Sequence, residues 1–467
     1  MLPRIFFLNP DSSLLSAGCG EAHLVRGTGD LPGALVKEGT PPAFRYFGGS
    51  RFDGGAEVGQ EWADFGGHFF VLPQLELIYT ADQATPVQQQ EQGDPEWEQR
   101  STGDNKRSNL QNRTFTFAVN VKAGFEDGWS GALARAVQAV QGMRVTYGME
   151  RELPAPISMG NGTTYEDWKS SVERALNELG KGGEFKKVVL SRNFFVQFGS
   201  DVEPLDLLLK LRAHNGYLFC LQPSSHAAFL GCSPEPLFRI SHDVIETMAI
   251  SGTRPRGSTP ETDDALAQEL LASEKDKYEN GVTTKYIQEQ LQAVATEVKT
   301  SDIFVMKLQH VQHICRRISA RHAQVVGASA RGTPIGLLMT LNPTPAVCGE
   351  SRPMATQFIR QAERFDRGFF GGPVGFVSAT VCEFLVAIRS VLCQPRTLHI
   401  YAGAGIVPGS DPAAEWEETT LKMRNIKQLV VSPQPLRSLP NINTLWAALV
   451  VEELCRCGVT KFVVCPG

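Results

Sequence analysis

The sequence mixes strand and helix patterns along its length, which predicts an α+β fold. Three observations carry that expectation. The runs TFTFAVNV and CEFLVAIRSVL alternate with the two-residue period of strands. Residues 163–180, 260–298 and 411–430 bear helical spacing or helix-start signals. Residues 41–80, with FGGSRFD and W-x-x-F-GGHFFVLP, have the glycine and aromatic content of strands joined by tight turns.

A chain of 467 residues has room for two or three domains, or for one large enzyme domain with an appendage. Hydrophobic content of 42% and charged content of 20% describe an ordinary globular protein. The net charge of −5 offers no basic footprint for nucleic acid and argues against a polybasic membrane contact. No run approaches 18 uninterrupted apolar residues, so no membrane span is expected. Ten cysteines are scattered without a C-x-x-C pair, and only Cys455 and Cys457 are close. Reduced, mostly buried thiols follow, as in a cytosol, a plastid stroma or a mitochondrial matrix. The start, MLPRIFFLNPDSS, has too short and interrupted an apolar run for a secretory signal. It is also too poor in Arg and Ser for a transit peptide.

Taken in order, residues 1–150 form a first region, within which 82–113 are polar and nearly free of aliphatic side chains. That stretch is expected to be an exposed flexible insertion. Residues 151–432 follow as a second region. There TTYEDWKSSVERALNELG (163–180) reads as an amphipathic helix with a glycine stop, and KVVLSR as an apolar strand. The longest helical pattern runs from Pro260 to Val298, with Leu266, Leu270 and Leu271 apolar and Glu274, Lys275, Asp276 and Glu279 on a polar face. A helix is expected over 355–367 and paired strands with a short connection over 373–392. Alternation in the latter puts Glu383, Leu385, Ala387 and Arg389 on one face. Asp411-Pro412 opens a helix in which Glu415, Glu418 and Lys422 share a face. Residues 433–440 read as a Pro-rich linker, and 441–467 as a helix and short strand ending in Pro-Gly.

Several blocks point to one chemistry. They are SPEP (233–236), YAGAGIV (401–407), Lys187 in KVVLSR, LLASEKDKYE ending in Glu279, and E-W-x-E ending in Glu418. In their order along the chain they resemble the signatures of the chorismate-utilising enzymes, across nearly all of residues 1–432. The resemblance implies large, mostly antiparallel sheets flanked by helices, with a cleft between them. It also implies chorismate as the bound partner and Mg²⁺ as the cofactor. By the same resemblance Lys187 is the general base and Glu235 the general acid. Glu279 and Glu418 are the metal ligands, with Glu415 holding a metal-bound water. Arg389 holds the enolpyruvyl carboxylate, and Gly403, Gly405, Gly252, Thr253 and Lys422 complete the binding wall.

The residue types suit those roles. An amine serves as a base near neutral pH only if burial or nearby cations lower its pKa from about 10.4 by several units. A carboxyl serves as an acid only if its environment keeps it protonated. Alternation sends Lys186 and Lys187 to opposite faces, and the motif register selects Lys187. Glycines let backbone N–H groups approach an anion closely.

Within the family, Ser251 stands where the aminodeoxychorismate branch has a lysine, which argues against a covalent lysine route. Water as nucleophile implies Mg²⁺-dependent conversion of chorismate to isochorismate. The alternatives are salicylate synthesis, anthranilate synthesis with ammonia, and a catalytically silent scaffold. Residues 441–467 resemble the opening of the thiamine-diphosphate-dependent synthase that makes succinyl-enolpyruvyl-hydroxycyclohexene carboxylate. This implies that the sequence stops inside a second domain, which alone would take thiamine diphosphate. It also implies naphthoquinone synthesis in a plastid. Asn342 and Asn280 depart from the family, which often has histidine at both places. The turn between GFVSAT and CEFLVAIRS looks short and lacks the usual glycine.

Overall fold

The computed structural model describes residues 2–431 apart from 11–12, 29–30, 32–34, 37–39, 42, 82–112, most of 121–151, 213–215, 309 and 323–332. Nearly all of the expected 82–113 insertion, the 433–440 linker and the 441–467 segment therefore lie outside the described residues.

The described strands join edge to edge into one antiparallel network that reads as two arms. The first arm runs from Pro156–Asn161 through Lys187–Phe198, Thr397–Ile406, Ser390–Gln394 and Ala228–Ser233. It continues through Tyr217–Gln222, Arg4–Leu8 and Leu14–Gly27 to the long strand His68–Ala81. From that strand the second arm runs through Tyr46–Ser50, Pro373–Val377, Val381–Val386 and Pro236–Ser241. Val244–Pro255 and Val311–His322 continue it, and Ala295–Thr300 and Phe304–Lys307 pair with the far edge of Val311–His322. Strands from before residue 82 and after residue 151 thus interleave within the same hydrogen-bonded ladders. Tyr217–Gln222, Ala228–Ser233, Pro373–Val377 and Val381–Val386 are buried at almost every residue, with both faces covered, whereas Pro156–Asn161 is mostly exposed.

Two short crossovers carry the chain between the arms, and they lie side by side. Ser233-Pro234-Glu235-Pro236 joins Ala228–Ser233 to Pro236–Ser241. Each proline forces the residue before it towards extended backbone, so the crossover is stretched rather than helical. The other crossover, 387–389, joins Val381–Val386 to Ser390–Gln394. The Val386 N–H donates to Glu235 O (3.0 Å), the Cys232 N–H to Arg389 O (3.1 Å), and the Ser233 hydroxyl to Val386 O (2.6 Å).

That second crossover corrects the expected alternation of CEFLVAIRSVL. The run is two strands in different arms, and Arg389 has φ +53°, so Arg389 does not continue the face of Glu383 and Leu385. The 378–380 turn before it closes regularly, with Ser378 N–H on Val381 O and Val381 N–H on Ser378 Oγ.

The helices pack outside the ladders. Tyr165–Gly180 buries Trp168, Val172, Ala175 and Leu179, and the Thr164 hydroxyl caps it by accepting the Asp167 N–H. Gly180, the expected stop, is still helical; Lys181 is the C-cap, and glycines 182 and 183 follow at positive φ. Residues 260–298 are not one helix. Pro260–Ala272 and Glu274–Gln292 meet at Ser273, whose extended backbone ends the first and whose hydroxyl accepts the Asp276 N–H of the second. A strand, Ala295–Thr300, follows at once. The face of the second helix that carries Asp276 and Glu279 is buried, not solvated. The expected 355–367 helix is Arg352–Ala362, because Glu363 and Arg367 turn inward as a buried ion pair. The last helix, Pro412–Val431, begins with Asp411 Oδ1 accepting the Ala413 and Ala414 N–H groups. Among the described residues no cysteine is in a disulfide, and six of the seven cysteines there are buried.

Candidate active site

The floor of the site is the strand Thr397–Ile406. Its first half pairs on both edges, but beyond Ile400 only Lys187–Phe198 pairs with it. A strand residue turns its N–H and C=O to the same edge. Gly403 O accepts the Lys422 ammonium at 2.9 Å, so Gly403 and, by the two-residue period, Gly405 present backbone groups to the open edge. No side chain fits on this floor. A Cβ on Gly405 would stand 2.2 Å from Glu279 Oε1 and 3.0 Å from Lys187 Cε, and one on Gly403 would stand 2.7 Å from Ser191 Oγ.

Lys187 is fully buried at the start of its strand, whereas Lys186 beside it is exposed, as the alternation requires. Its Nζ lies 3.0 Å from Glu279 Oε1, yet off the direction of a hydrogen bond.

The two crossovers supply the opposite groups. Burial pushes the Glu235 carboxyl up to about 7, against the pull of Lys187, Lys422 and Arg389. Burial likewise lowers the Arg389 guanidinium to about 10. Its Nη2 lies 3.4 Å from His313 Nε2, while His313 Nδ1 lies 2.8 Å from Gly252 O. Guanidinium can only donate and a carbonyl can only accept, so His313 is the neutral tautomer with its proton on Nδ1. Burial and then Arg389 agree, lowering the imidazolium to about 3. Gly252 itself has φ +61° and no room for a side chain beside Asp276. The Thr253 hydroxyl also reaches His313 Nδ1, at 3.3 Å.

Two helices close the acidic side. Glu418 Oε1 accepts from Lys422 Nζ at 2.6 Å, and Glu415 Oε1 from Lys275 Nζ at 2.5 Å. Burial opposes ionisation of Glu418, but Lys422 and Lys275 prevail and hold its carboxyl below the usual range. Glu415 goes the other way, raised by burial and then by Glu418.

These groups line one cleft of about 720 Å³, mouth included. Glu235, Gly252, Thr253, Glu279, Arg389, Gly403, Gly405, Glu418 and Lys422 all face it. Lys187 and Glu415 stand behind that lining, Lys187 over Gly405 and Glu415 against Lys275. His313 and Ser191 also face the cleft and carry no role in the sequence reading. A polar residue within the apolar run VQHIC was the one available sign of His313. Ser251 faces it too, with its hydroxyl buried and unpartnered. The two departures lie elsewhere. Asn280 bonds Ala249 O and Ile314 O, tying its helix to two strands, and Asn342 caps the helix Pro334–Leu341.

Among the described residues, no group of three or more His, Cys, Asp or Glu is set to hold a metal ion. Glu279 and Glu418 nevertheless offer carboxylate oxygens to the same cleft, a donor set that suits a hard divalent ion completed by waters and a ligand oxygen.

The chorismate binding enzyme family matches residues 107–431. The chain is 32% identical over 451 residues to the chloroplastic isochorismate synthase of Catharanthus roseus, covering 93% of this chain and 71% of that protein. It is 31% identical to chloroplastic isochorismate synthase 2 of Arabidopsis thaliana, covering 86% and 66%. It therefore spans about two thirds of the length of these curated relatives. The structure of MenF, the menaquinone-specific isochorismate synthase of Escherichia coli, superposes with a TM-score of 0.74, covering 92% of this chain and 89% of that one. At 24% identity that likeness shows a shared fold.

Proposed function

From the premise that this chain belongs to the chorismate-binding enzyme family, we propose that it is an isochorismate synthase acting by water addition. The observation that carries this reading is the pairing of two unlike groups about one cleft. Lys187 is a buried amine with no hydrogen bond, and Glu235 is a carboxyl that burial raises to about 7, so that about half of it stays protonated near neutral pH.

Lys187 in its neutral form takes a proton from water, and the hydroxide forms a new C–O bond to a ring carbon. The ring double bonds shift, and the C–O bond to the departing hydroxyl breaks. Glu235 gives that hydroxyl its proton, so it leaves as water. One water is consumed and one released, and the net change is an isomerisation. Gly403, Gly405 and Thr253 line the pocket for one carboxylate. Arg389, oriented by His313 and Gly252, offers its guanidinium to the other.

Glu279 and Glu418 would hold Mg²⁺, which when bound supplies positive charge to the ring carboxylate. Glu415, next on the helical face, would orient a water there. Ser251, lacking an amine, supports water rather than a covalent lysine route. The likeness of residues 441–467 to a thiamine-diphosphate-dependent synthase, with two chloroplastic relatives, supports quinone synthesis in a plastid.

Incubation of the purified chain with chorismate and Mg²⁺, followed by NMR, tests the reading. Isochorismate as the product is expected, lost on chelation of the metal. Salicylate with pyruvate, anthranilate when ammonia is supplied, or an inert folded protein would each overturn it.

A further inference from the structure

The strand Lys187–Phe198 has a gap along one edge. Gly349–Glu350 pairs with its first two residues and Pro156–Asn161 with its last five. Between them the backbone is bridged by side chains. The Ser191 N–H donates to Glu363 Oε1 at 2.7 Å, and Arg367 Nη2 donates to Val189 O at 2.8 Å. Glu363 and Arg367 are themselves paired, with Arg367 Nε on Glu363 Oε2 at 2.8 Å.

This bridge separates two cavities. Arg367 lines the catalytic cleft, Glu363 lines a second polar pocket of about 780 Å³ on the far side, and Ser191 lines both. The second pocket opens between the helix Tyr165–Gly180 and residues 361–365, past Thr163, Ser170 and Asn193. The Ser191 hydroxyl is almost fully buried and has no hydrogen-bond partner. A buried hydroxyl left unpaired in a native site is the mark of a group awaiting a ligand or a water. It stands over Gly403, one step along the same glycine floor from Lys187 over Gly405. At its other end, by Arg389 and Lys422, the cleft runs on into a separate recess past Cys232 and Asn425.

We propose that the second pocket is the entrance by which water reaches Lys187 while the ring substrate fills the cleft, passing the Ser191 hydroxyl. The proposal rests on the water-addition reading. That reaction takes in one water on the base side and releases another on the acid side, where Glu235 protonates the leaving hydroxyl. A substrate lodged between Lys187 and Glu235 blocks exchange from one side to the other. A separate supply on the Lys187 side lets each turnover be recharged without substrate leaving. The polar lining of the pocket suits water and would not draw in the dicarboxylate, since Asp167 and Glu363 stand in it beside Arg174 and Arg364.

Obstruction distinguishes a passage from a catalytic hydroxyl. Ser191→Ala leaves space for water and Ser191→Val fills it, so Val is expected to lower kcat roughly fivefold or more below Ala, with KM nearly unchanged. Equal losses in the two variants would overturn the proposal. A second test works far from the cleft. Ser170 is exposed at the pocket mouth, so Ser170→Cys carrying a bulky methanethiosulfonate adduct should lower kcat similarly. Reduction should restore it, relative to wild type treated identically. Undiminished turnover by the adduct would overturn the passage while leaving the synthase reading intact. Failure of unmodified Ser170→Cys and wild type to make isochorismate would instead overturn that reading, and the passage with it.

Discussion

Lys187 and Glu279 meet 3.0 Å apart over Gly405, in a space that a single methyl group would occupy. The strand and the helix that carry them come from distant parts of the chain, and the glycine between them sets their separation. One backbone position thus fixes both the proposed base and the carboxylate that neighbours it.

Gly405→Ala should therefore disturb the site more than the fold. The atoms in the way belong to the far ends of Glu279 and Lys187, which can shift. A displacement near 1 Å at reacting groups costs on the order of 10²-fold. Steady-state kinetics should show that loss, with the melting temperature nearly unchanged. Full activity would mean that the pair is not positioned by this contact.

Lys187→Ala should lower kcat by about 10²–10⁴-fold, the usual range for a lost general base. Lys186→Ala should stay within about twofold of wild type, because its side chain lies on the exposed face. Circular dichroism of both variants checks that each remains folded. The reverse ranking would make Lys186 the base.

Glu235 links catalysis to pH. As the acid it must be protonated, so activity should fall as pH rises through about 7, and Glu235→Gln should remove that limb along with most of kcat. Stability carries the same signature. The folded-state value lies above the ordinary 4.5, so the protonated carboxyl favours the folded state fully below pH 4.5. That contribution is lost as pH rises through about 7. The displacement corresponds to on the order of 3 kcal/mol. Chemical denaturation from pH 4 to pH 8 should show Glu235→Gln gaining stability relative to wild type by about that amount. A pH-independent difference would contradict the raised value.

Asn280 is a structural residue in this account. Its fully buried amide donates to Ala249 O and Ile314 O, holding the Glu279 helix against two strands. Asn280→Ala should cost about 1–3 kcal/mol of stability by leaving those carbonyls unpaired. In the folded protein kcat should change little. A specific loss of turnover at full stability would instead place Asn280 in the chemistry.

Much of this was legible in the sequence because the informative residues sit in short, rigid blocks. The 163–180 helix and the Asp411-Pro412 start were readable from capping and spacing alone, and both stand. Reading failed where one run of sequence serves two elements. Apolar alternation cannot show that CEFLVAIRSVL changes sheet at 387–389, because the period continues while the backbone turns at Arg389. In the helix Glu274–Gln292 polarity alone could not separate Asp276 and Glu279, which are buried, from Glu274, which is exposed. His313 and Ser191 escaped notice because their roles depend on neighbours distant in sequence, Arg389 and Glu363.

The central claim is that Lys187 delivers solvent oxygen to the ring. Turnover of chorismate in heavy-oxygen water, with the product analysed by mass spectrometry, tests it most directly. The account predicts isochorismate carrying one solvent oxygen in its new ring hydroxyl, formed about 10²–10⁴-fold more slowly with Lys187→Ala. Isochorismate formed at the wild-type rate without solvent oxygen would mean that the hydroxyl migrates within the substrate, and would contradict the account.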